Sequence, residues 1–303
     1  MTRILLLGRT SQVGWELNRS LLPLGEVVAL SRAEADFFHP ESLRQIVRNA
    51  GAEIIVNAVA YTAVDKAESE ESLAHLVNAD APAVLAEEAN RSNAMLVHYS
   101  TDYVFDGTKP EPYAEDDKPN PINAYGRTKL AGEQNILNTG CKHLIFRTSW
   151  VYSSRGQNFV KTILRLAQQR DELRIVADQL GAPTSARFIA DVTSQILSKI
   201  QTIDSLGADE AIGTYHLTAL HFTSWHKFAQ TILESEKSPF RDSFNLPKLI
   251  PITTAEYPLP APRPKNSRLN CDKLSTRFGI HLPHWEVVAR LCLGEITERD
   301  GGN

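Results

Sequence analysis

Residues 3–14 read RILLLGRTSQVG, a short apolar run that passes through a glycine turn into a helix-like segment. Ile4–Leu7 is typical of a buried strand, because it is apolar on both faces. The turn carries glycines at Gly8 and Gly14. A glycine turn between a buried strand and a helix lets the backbone approach a pyrophosphate at the helix N-terminus. This stretch therefore predicts that the chain opens with a dinucleotide-binding unit.

The order of strand and helix repeats along the first half of the chain. Strands are predicted at Ile4–Leu7, Val27–Leu30, Ile54–Val56, Leu96–Tyr99 and Leu144–Phe146. Helices are predicted between them, at Val13–Leu22, Glu41–Asn49, Ser72–Arg91 and Tyr125–Leu137. Strands that are apolar on both faces and alternate with helices indicate βαβ units with right-handed crossovers. We therefore expect an α/β fold with a doubly wound, parallel, Rossmann-type sheet.

The regular alternation extends only to about the middle of the chain. Residues 1–150 are predicted to form the dinucleotide-binding domain, and residues 151–303 mostly a smaller, mixed α/β substrate-binding domain. In the second part, YPLPAPRPK at 257–265 contains prolines that exclude both a helix and a central strand. A helix around Ala190–Ile200 and a strand at Tyr215–Leu217 are expected to return to the first domain, within residues 186–218.

Composition and charge exclude several classes of function. The 303 residues carry a net charge of −4 without a clustered basic surplus, which argues against nucleic-acid and membrane-surface partners. The three cysteines, Cys141, Cys271 and Cys292, form no CxxC pair, so neither disulfides nor a zinc site are predicted. The histidines show no HxH or HExxH spacing, and we expect no catalytic metal. No apolar run suits a signal peptide or a bilayer span, so a cytoplasmic location is expected.

The predicted phosphate loop has an incomplete motif. Ser11 stands where a GxxGxxG pattern has its middle glycine, so the motif alone fits a simple tight turn about as well. Its position after the first strand favours cofactor binding. Ser11 is expected to donate its N–H and its hydroxyl to phosphate, although serine adopts fewer backbone conformations than glycine. The predicted loop contacts are Gly8, Thr10, Ser11, Gln12, Val13 and Gly14.

Residues after the second and third strands bear on which dinucleotide binds. The second strand ends in Ser31 and Arg32, which suit the 2′-phosphate of NADPH better than the ribose hydroxyl of NADH. A solvated surface charge is the alternative for Arg32. Asp36 and Phe37 are expected near the adenine, although an aspartate in a loop also fits a turn. Ala58, Val59, Ala60 and Thr62 are expected on the cofactor's other side. NADPH is the predicted cofactor, with NADH as the alternative.

A tyrosine and a lysine four residues apart give the strongest chemical signal. Tyr125 and Lys129 project from one face of a predicted helix. A tyrosine with its ordinary pKa of about 10 is a poor acid at neutral pH, and a nearby ammonium favours the phenolate and lowers that pKa. YxxxK alone is common, but Thr101 lies at the carboxyl end of the fourth predicted strand, where ligands of open parallel sheets bind. Its hydroxyl can support an oxygen on which charge develops.

Seven segments together resemble the extended short-chain dehydrogenase/reductase family, and within it the reductases of dTDP-linked 4-keto sugars. They read GRTSQVGWEL, IIVNAVAYTAVDKAE, HYSTDYVFDGT, NAYGRTKLAGE, HLIFRTSWVY, DQLGAPTSA and RPKNSRLN. The likeness extends from the first strand to about Asn270, and STDYVF with YGRTKLAGE is its most specific part. Two residues depart from the family pattern: Ser11 replaces a glycine, and Tyr61 stands where a histidine is expected.

The resemblance implies reduction of the C4 keto group of a dTDP-linked sugar. Tyr125 would protonate the new alkoxide, Lys129 would tune Tyr125 and hold the nicotinamide ribose, and Thr101 would support the carbonyl oxygen. For Trp150 a place in the core is an equal alternative, and for the loop arginines a solvated position. The implied contacts of the sugar and its nucleotide are Val64, Asp65, Tyr103, Trp150, Arg263, Asn266 and Arg268.

Other functions on the same scaffold are alternatives. A 4,6-dehydratase needs a further carboxylic acid after the Thr-Asp pair, where this chain has Tyr103. A 4-epimerase usually prefers NAD, which Ser31 and Arg32 disfavour. A non-catalytic binding subunit, like the regulatory subunit of methionine adenosyltransferase, would need none of the three reacting groups. Some relatives pair across a metal held by carboxylates, to which Glu16 would fit, but Arg187 argues against this. A monomer or a homodimer is expected.

Overall fold

The computed structural model describes residues 1–202, 210–240 and 246–300. Its centre is a six-stranded parallel sheet in the order β10-β5-β4-β3-β1-β2. The strands of this sheet are β1 (Arg3–Leu7), β2 (Glu26–Leu30), β3 (Ile54–Asn57), β4 (Met95–Thr101), β5 (His143–Thr148) and β10 (Gly213–His216). Six shorter or peripheral strands are β6 (Val151–Tyr152), β7 (Glu172–Val176), β8 (Leu180–Gly181), β9 (Thr184–Ser185), β11 (Thr223–Ser224) and β12 (Lys248–Ile252).

The α-helices of the described ranges lie on both faces of the sheet and around the peripheral strands. They are α1 (Gln12–Ser20), α2 (Pro40–Ala50), α3 (Val64–Ala67), α4 (Glu71–His75), α5 (Ala81–Ser92), α6 (Ala124–Thr139), α7 (Phe159–Ala167), α8 (Ala186–Thr202), α9 (Trp225–Glu234), α10 (Asp272–Phe278) and α11 (Trp285–Asp300). Within those ranges, none of the helices is both long and apolar enough to cross a membrane.

The strand order creates the crevice that the sequence predicts. From β1 the chain crosses to β2 on one side, and it then returns to β3 on the other side of β1. The two loops that leave the carboxyl ends of β1 and β3 therefore diverge, and ligands bind between such loops in open parallel sheets. The predicted doubly wound fold is confirmed.

Alternate residues of β1 belong to two different cores. Ile4 and Leu6 pack with Leu17 of α1 on one face, in a cluster that also contains residues of α8 and α10. Leu5 and Leu7 pack on the other face, in a cluster that contains residues of α2 and α5. A strand that is apolar on both faces is the expected centre of such a three-layer structure. This is the physical reason why RILLL could be recognised as a central strand.

The second half of the chain contributes to both regions of the molecule. Strand β10 pairs with β5 in the main sheet, and α8 packs on α1. Part of the segment predicted to return to the first domain, residues 203–209, lies outside the described residues. A separate core gathers around α7, α9, α11 and the parallel pair of β7 and β12. The proline-containing stretch at 257–265 contains neither helix nor strand, as the prolines predict.

The helix predicted at Ser72–Arg91 is interrupted. A π-helical turn at Leu76–Asp80 separates α4 from α5, and Pro82 lies in the first turn of α5. Proline has no N–H to donate to the carbonyl four residues earlier, which is that of Asn78. The carbonyl of Asn78 therefore lacks this helical donor. The Asn78 side chain bonds to α6, where its Nδ2 donates to the Thr128 hydroxyl at 3.1 Å. The helical periodicity was visible in the sequence, but the change from α-helical to π-helical hydrogen bonding at Leu76–Asp80 was not.

Helix α6 rests very closely on this π-helical turn. A Cβ added to Gly132 of α6 would lie 2.1 Å from the carbonyl oxygen of Asn78. A Cβ added to Gly294 of α11 would meet no atom within 4 Å. Both glycines lie inside helices, where alanine is intrinsically preferred by about 1 kcal/mol. The two positions therefore separate packing from helix propensity.

We expect Gly132→Ala to lower the free energy of unfolding by about 1–3 kcal/mol, because backbone must move to admit the methyl group. Gly294→Ala, the matched control, is expected to leave it unchanged or to raise it by up to about 1 kcal/mol. Denaturant unfolding of the two variants measures both effects. Equal effects of the two substitutions would show that the contact between α6 and the π-helical turn is not tight.

Candidate active site

The loop after β1 packs so closely that it requires glycine at two positions. Gly8 has φ +88°, and a Cβ there would lie 2.8 Å from the Val59 side chain. A Cβ on Gly14 would lie 1.9 Å from the Gly8 carbonyl oxygen. The first turn of α1 is thereby pressed against the end of β1, and the whole turn against the loop after β3. These close contacts explain why the motif has glycine at Gly8 and Gly14.

Ser11 stabilises the loop, and both of its predicted phosphate donors are used inside the protein. Its N–H donates to the Gly8 carbonyl at 2.9 Å, and its hydroxyl donates to the Ala58 carbonyl at 3.0 Å. The same hydroxyl accepts the Gly14 N–H at 3.0 Å as the N-cap of α1. The expected donation of these two groups to phosphate is therefore not what the structure shows. The N–H groups of Gln12 and Val13, at the start of α1, have no carbonyl partner within their own helix.

A first cavity, of about 490 Å³, opens between the loops after β1, β2 and β3. Most of the predicted cofactor residues line it. Of the predicted set it contains Gly8, Thr10, Ser11, Arg32, Asp36, Phe37, Ala58, Val59, Ala60 and Thr62. The sequence interpretation missed Phe38, Lys66 and Glu70, which complete the wall together with Tyr61. The Tyr61 hydroxyl donates to Glu70, so this departure from the family pattern is bonded within the protein.

The end of β2 differs in one respect from the expectation. The N–H and the hydroxyl of Ser31 both donate to the Glu34 carboxylate, at 2.8 and 2.7 Å, so Ser31 has no free donor for a 2′-phosphate. Arg32 is exposed and lies 4.5 Å above the centre of the Phe38 ring. Arg9, which the sequence interpretation did not select, lies 3.2 Å from the same Glu34. Two guanidinium groups therefore flank this end of the cavity.

A second cavity, of about 570 Å³, shares the phosphate loop with the first and continues to the ends of β4 and β5. It brings together residues from seven separate segments of the sequence. The predicted residues that line it are Thr10, Ser11, Gln12, Val13, Ala58, Val59, Ala60, Thr62, Val64, Thr101, Tyr103, Tyr125, Lys129 and Trp150. The fold thus places the three predicted reacting groups beside the phosphate loop.

Thr101 and Tyr125 meet at the floor of the second cavity. Thr101 ends β4, and Tyr125 lies in the first turn of α6, whose N-cap is Asn123. The Thr101 side chain lies beside the Tyr125 phenol and lowers the pKa of Tyr125. Burial acts more strongly in the other direction and raises that pKa to about 12. Buried phenols resist ionisation because the charged form loses its hydration.

Lys129 is buried and is directed at groups other than Tyr125. Its Nζ lies 2.6 Å from the Tyr99 carbonyl oxygen and 3.1 Å from Nε2 of His98. Burial lowers the pKa of Lys129 to about 8, against the opposing charge of Glu133. The expected lowering of the Tyr125 pKa by Lys129 is therefore absent from this arrangement, in which desolvation dominates both groups.

A chain of hydrogen bonds indicates how Lys129 is protonated. Asn57 Oδ1 accepts the Val59 N–H at 3.0 Å, which leaves its Nδ2 to donate to His98 Nδ1 at 3.1 Å. An uncharged His98 then carries its proton on Nε2, the atom that faces Lys129. A neutral amine can accept that proton, whereas an ammonium cannot. His98, which the sequence interpretation missed, thus favours the uncharged form of Lys129, and the fixed backbone donor of Val59 sets the direction of the chain.

Trp150 is both a packing residue and a cavity residue. Its ring is stacked on that of Trp225, with centroids 3.5 Å apart, and a Cβ on Gly181 would lie 2.5 Å from its ring. Its backbone adopts φ +47°, which is strained for a tryptophan. Trp225 also lines a third cavity of about 510 Å³, together with Tyr103 and Phe159. Sequence reasoning had no signal for Trp225, because it begins a helix 75 residues after Trp150.

The predicted substrate residues Asp65 and Arg263 bind each other. Arg263 Nη1 and Nη2 lie 2.5 and 2.8 Å from the two carboxylate oxygens of Asp65. The guanidinium hydrogen bonds lower the pKa of Asp65. Arg263 also lines the third cavity. The pair fixes the proline-containing loop against α3, so neither charge is free in the way that the sequence interpretation assumed.

Asn266 and Arg268 join two loops of the protein. Asn266 Nδ2 donates to the carbonyls of Lys109 and Glu111, at 2.5 and 2.9 Å, and its Oδ1 accepts Nε of Arg268 at 2.8 Å. Arg268 also donates to the Pro110 carbonyl. Neither residue lines any of the three cavities. The structure therefore gives these two predicted substrate residues a structural role.

Comparison with known proteins shows the family of the chain. Residues 1–297 match the family model of the RmlD substrate binding domain. The dTDP-4-dehydrorhamnose reductase of Burkholderia thailandensis is 49% identical over 98% of this chain and 100% of that protein. The protein of the same name from Salmonella typhimurium is 46% identical over 97% of each chain. The chain belongs to the dTDP-4-dehydrorhamnose reductase family.

A solved structure supports the same assignment. The dTDP-4-dehydrorhamnose reductase of Bacillus anthracis, in complex with NADP, has a TM-score of 0.86 and 34% sequence identity. The match covers 97% of this chain and 100% of that one. The family that the motifs predicted from the sequence is therefore confirmed.

In this member of the dTDP-4-dehydrorhamnose reductase family, the carboxylate of Glu16 forms ion pairs with two arginines. Nε of Arg187 and Nε of Arg19 lie 3.4 and 3.5 Å from it, and Arg187 also contacts Glu295. Arg187 thus places a positive charge between the carboxylates of Glu16 and Glu295. Over the described ranges, no group of three or more His, Cys, Asp and Glu side chains is arranged to hold a metal ion.

The buried position of Lys129 predicts a pH-dependent stability of the cofactor-free protein. Its pKa falls from 10.5 to about 8 on folding, so the unfolded chain binds the extra proton between these values. Relative to Lys129→Met, we expect the wild type to gain about 3 kcal/mol as the pH rises through this window, because the cost of the buried charge disappears. Denaturant unfolding from pH 7 to 10.5 measures the difference.

The control for this prediction is Lys118→Met, which changes an exposed lysine of a nearby loop. Its stability relative to the wild type should not vary with pH. A constant difference between the wild type and Lys129→Met would mean that the Lys129 ammonium is not destabilised by burial.

Proposed function

We propose that this protein reduces the C4 keto group of dTDP-4-dehydro-L-rhamnose to give dTDP-L-rhamnose, with NADPH as the cofactor. The observation that carries the proposal is the placement of Thr101, Tyr125 and Lys129 in one cavity with the phosphate loop. The names of the Burkholderia and Salmonella relatives supply the sugar. The NADP complex of the Bacillus anthracis relative supports the cofactor.

The residues of the first cavity fit a dinucleotide phosphate. The close contacts of Gly8 and Gly14 leave the backbone N–H groups of Gln12 and Val13 at the N-terminus of α1 for the pyrophosphate. Arg9 and Arg32 would hold the 2′-phosphate that distinguishes NADPH from NADH. When bound, NADPH supplies the hydride that becomes the new C4–H bond.

The protein's own groups would complete the reduction by protonating the sugar oxygen. The Tyr125 hydroxyl and the Thr101 hydroxyl would both face the carbonyl oxygen, and Tyr125 would transfer its proton as charge develops there. Both side chains are buried, which keeps competing water away from the reacting oxygen. Lys129 would hold the nicotinamide ribose, and its protonation would then favour the Tyr125 phenolate left after proton transfer.

The other functions of this scaffold have less support. Tyr103 lines the second cavity at the position where a dehydratase needs a carboxylic acid, and burial raises the pKa of its phenol. A purely structural subunit would require neither Thr101 and Tyr125 side by side in a cavity nor a buried lysine in the same cavity. The arrangement therefore favours a reductase over an eliminating enzyme or a binding subunit.

The third cavity is the proposed site of the nucleotide part of the substrate. It joins the second cavity at Tyr103 and Trp225, which line both. Its walls combine the aromatic rings of Trp225 and Phe159 with the polar side chains of Arg174 and Gln179. A flat pyrimidine with hydrogen-bonding edges suits such a site.

Tyr125→Phe tests the proton donor. We expect it to lower kcat by about 10²–10⁴-fold, the usual contribution of one general acid, and to leave NADPH affinity within a few-fold of the wild type. NADPH oxidation with enzymatically prepared dTDP-4-dehydro-L-rhamnose measures kcat, and the product is identified as dTDP-L-rhamnose.

The control is Tyr113→Phe. Tyr113 is also buried and its hydroxyl donates to Asp106 at 2.9 Å, but it lies outside the three cavities and should retain full turnover. Undiminished turnover of Tyr125→Phe would rule out the mechanism, and no oxidation of NADPH by the wild type would rule out the function.

Trp225→Ala tests the nucleotide site. We expect KM for the sugar nucleotide to rise by about tenfold or more, since removal of a central aromatic contact typically costs about 2 kcal/mol or more. The affinity for NADPH should not change. Trp15→Ala removes a tryptophan that packs on Arg155 outside the cavities and serves as the control. Equal KM values for the two variants would place the nucleotide elsewhere.

A further inference from the structure

Asp102 is a buried carboxyl at the active-site cavity that the proposed mechanism does not use. It follows Thr101 in the chain, is 3% exposed and lines the second cavity. Its Oδ1 accepts the hydroxyl proton of Thr101 at 3.0 Å. Its Oδ2 is buried and has no hydrogen-bond partner in the described part of the chain; the nearby Ser267 hydroxyl donates to the Leu180 carbonyl at 3.3 Å. A buried, unpartnered carboxylate oxygen requires a physical explanation.

The hydrogen bonds of Thr101 suggest what the carboxyl does. A hydroxyl has one proton to donate and two positions that accept. The proton of Thr101 is held by Asp102, and one accepting position takes the Tyr103 N–H at 3.2 Å. The Tyr125 side chain lies beside the same hydroxyl. While Asp102 is ionised, Thr101 therefore has no proton to offer to an oxygen in the cavity.

The surroundings of Asp102 favour its protonated form. Burial raises its pKa to about 7, and the hydrogen bond from the Thr101 hydroxyl opposes this rise. Arg263 could favour the carboxylate, but it lies beyond Tyr103 and is paired with Asp65. On α6, Lys129 is bonded to the Tyr99 carbonyl. The titratable groups that face Asp102 are Tyr103 and Tyr125, and Lys129 lines the same cavity.

We propose that the protonated carboxyl of Asp102 donates a hydrogen bond to Thr101 and thereby makes the Thr101 hydroxyl a donor to the substrate oxygen. This inference rests on the proposed reduction. With Asp102 protonated at Oδ1, the bond between the two side chains reverses, and the freed Thr101 proton points to the developing alkoxide. Asp102 is thus a positioning residue that acts through Thr101, and no covalent bond to it forms or breaks.

The direction of the pH effect follows from this arrangement. Below pH 7 the carboxyl of Asp102 is protonated, and Thr101 donates its hydrogen bond to the substrate oxygen. Above pH 7 the Asp102 carboxylate accepts the hydrogen bond from Thr101 instead. For the wild type we expect kcat to fall from one plateau to a lower one as the pH rises through about 7. The lower plateau should be about 10²-fold below the upper one, the usual effect of losing one oxyanion donor.

Asp102→Asn separates this role from simple packing. The carboxamide has nearly the same shape, is a hydrogen-bond donor at every pH and does not titrate. We expect the variant to retain kcat within about tenfold of the wild type at pH 6 and to lose the fall above pH 7, so that it exceeds the wild type at pH 8.5. Asp116→Asn, at an exposed carboxyl of the neighbouring loop, should keep the wild-type profile. A fall in Asp102→Asn at the same pH as in the wild type would overturn the proposal.

A second measurement does not depend on turnover. Difference infrared spectroscopy of the cofactor-free protein should show a protonated carboxyl band that disappears as the pH rises through about 7 and is missing from Asp102→Asn. If Asp102→Asn does not fold, Thr101→Val serves in the kinetic test, because it removes the relayed donor and should also remove the fall in kcat. Absence of the band at pH 6 would contradict the proposal. Lack of wild-type turnover, with the band present, would instead refute only the proposed reduction.

Discussion

The buried ion pair between Glu133 and Arg147 fixes the helix on which the active site depends. Arg147 of β5 donates from Nε and Nη2 to Glu133 of α6, at 3.0 and 2.7 Å, and the Ser100 hydroxyl of β4 donates to the same carboxylate. Both charged side chains are almost wholly buried. Loss of one partner from such a pair typically costs about 3–5 kcal/mol, because the other charge is left uncompensated. Since Ser100 precedes Thr101, this contact sets the register between α6 and the carboxyl end of β4.

The positions of the three predicted reacting groups follow from that register. Tyr125 lies two helical turns before Glu133, next to Thr101, and Lys129 lies one turn before it, where its amine meets Tyr99 and His98. The phosphate loop is fixed independently, by the close approach of Gly14 to Gly8 and by the Ser11 hydroxyl on Ala58. The ion pair between α6 and β5 and the close packing of the phosphate loop thus together shape the second cavity.

The parts of this structure that the sequence predicted depend on short-range patterns. Ile4–Leu7 was recognisable because a strand buried on both faces is apolar throughout, and Tyr125 and Lys129 because helical spacing puts them on one face. The missed features depend on contacts between distant segments. The partner of Lys129 is His98, 31 residues away, and the partner of Arg263 is Asp65, 198 residues away. Donor groups that were expected to bind phosphate are bonded within the protein, the Ser11 hydroxyl to the distant Ala58 carbonyl and Ser31 to Glu34, three residues further on.

In the proposed reduction, bound NADPH would supply a hydride to C4 of the dTDP-linked keto sugar in the cavity at Thr101 and Tyr125. The most direct measurement uses NADPH that carries deuterium at the transferable position, with nuclear magnetic resonance of the sugar product. The account predicts deuterium at C4 of dTDP-L-rhamnose, one atom for each NADPH oxidised. Deuterium at another carbon, or a sugar that changes configuration without net oxidation of NADPH, would contradict it.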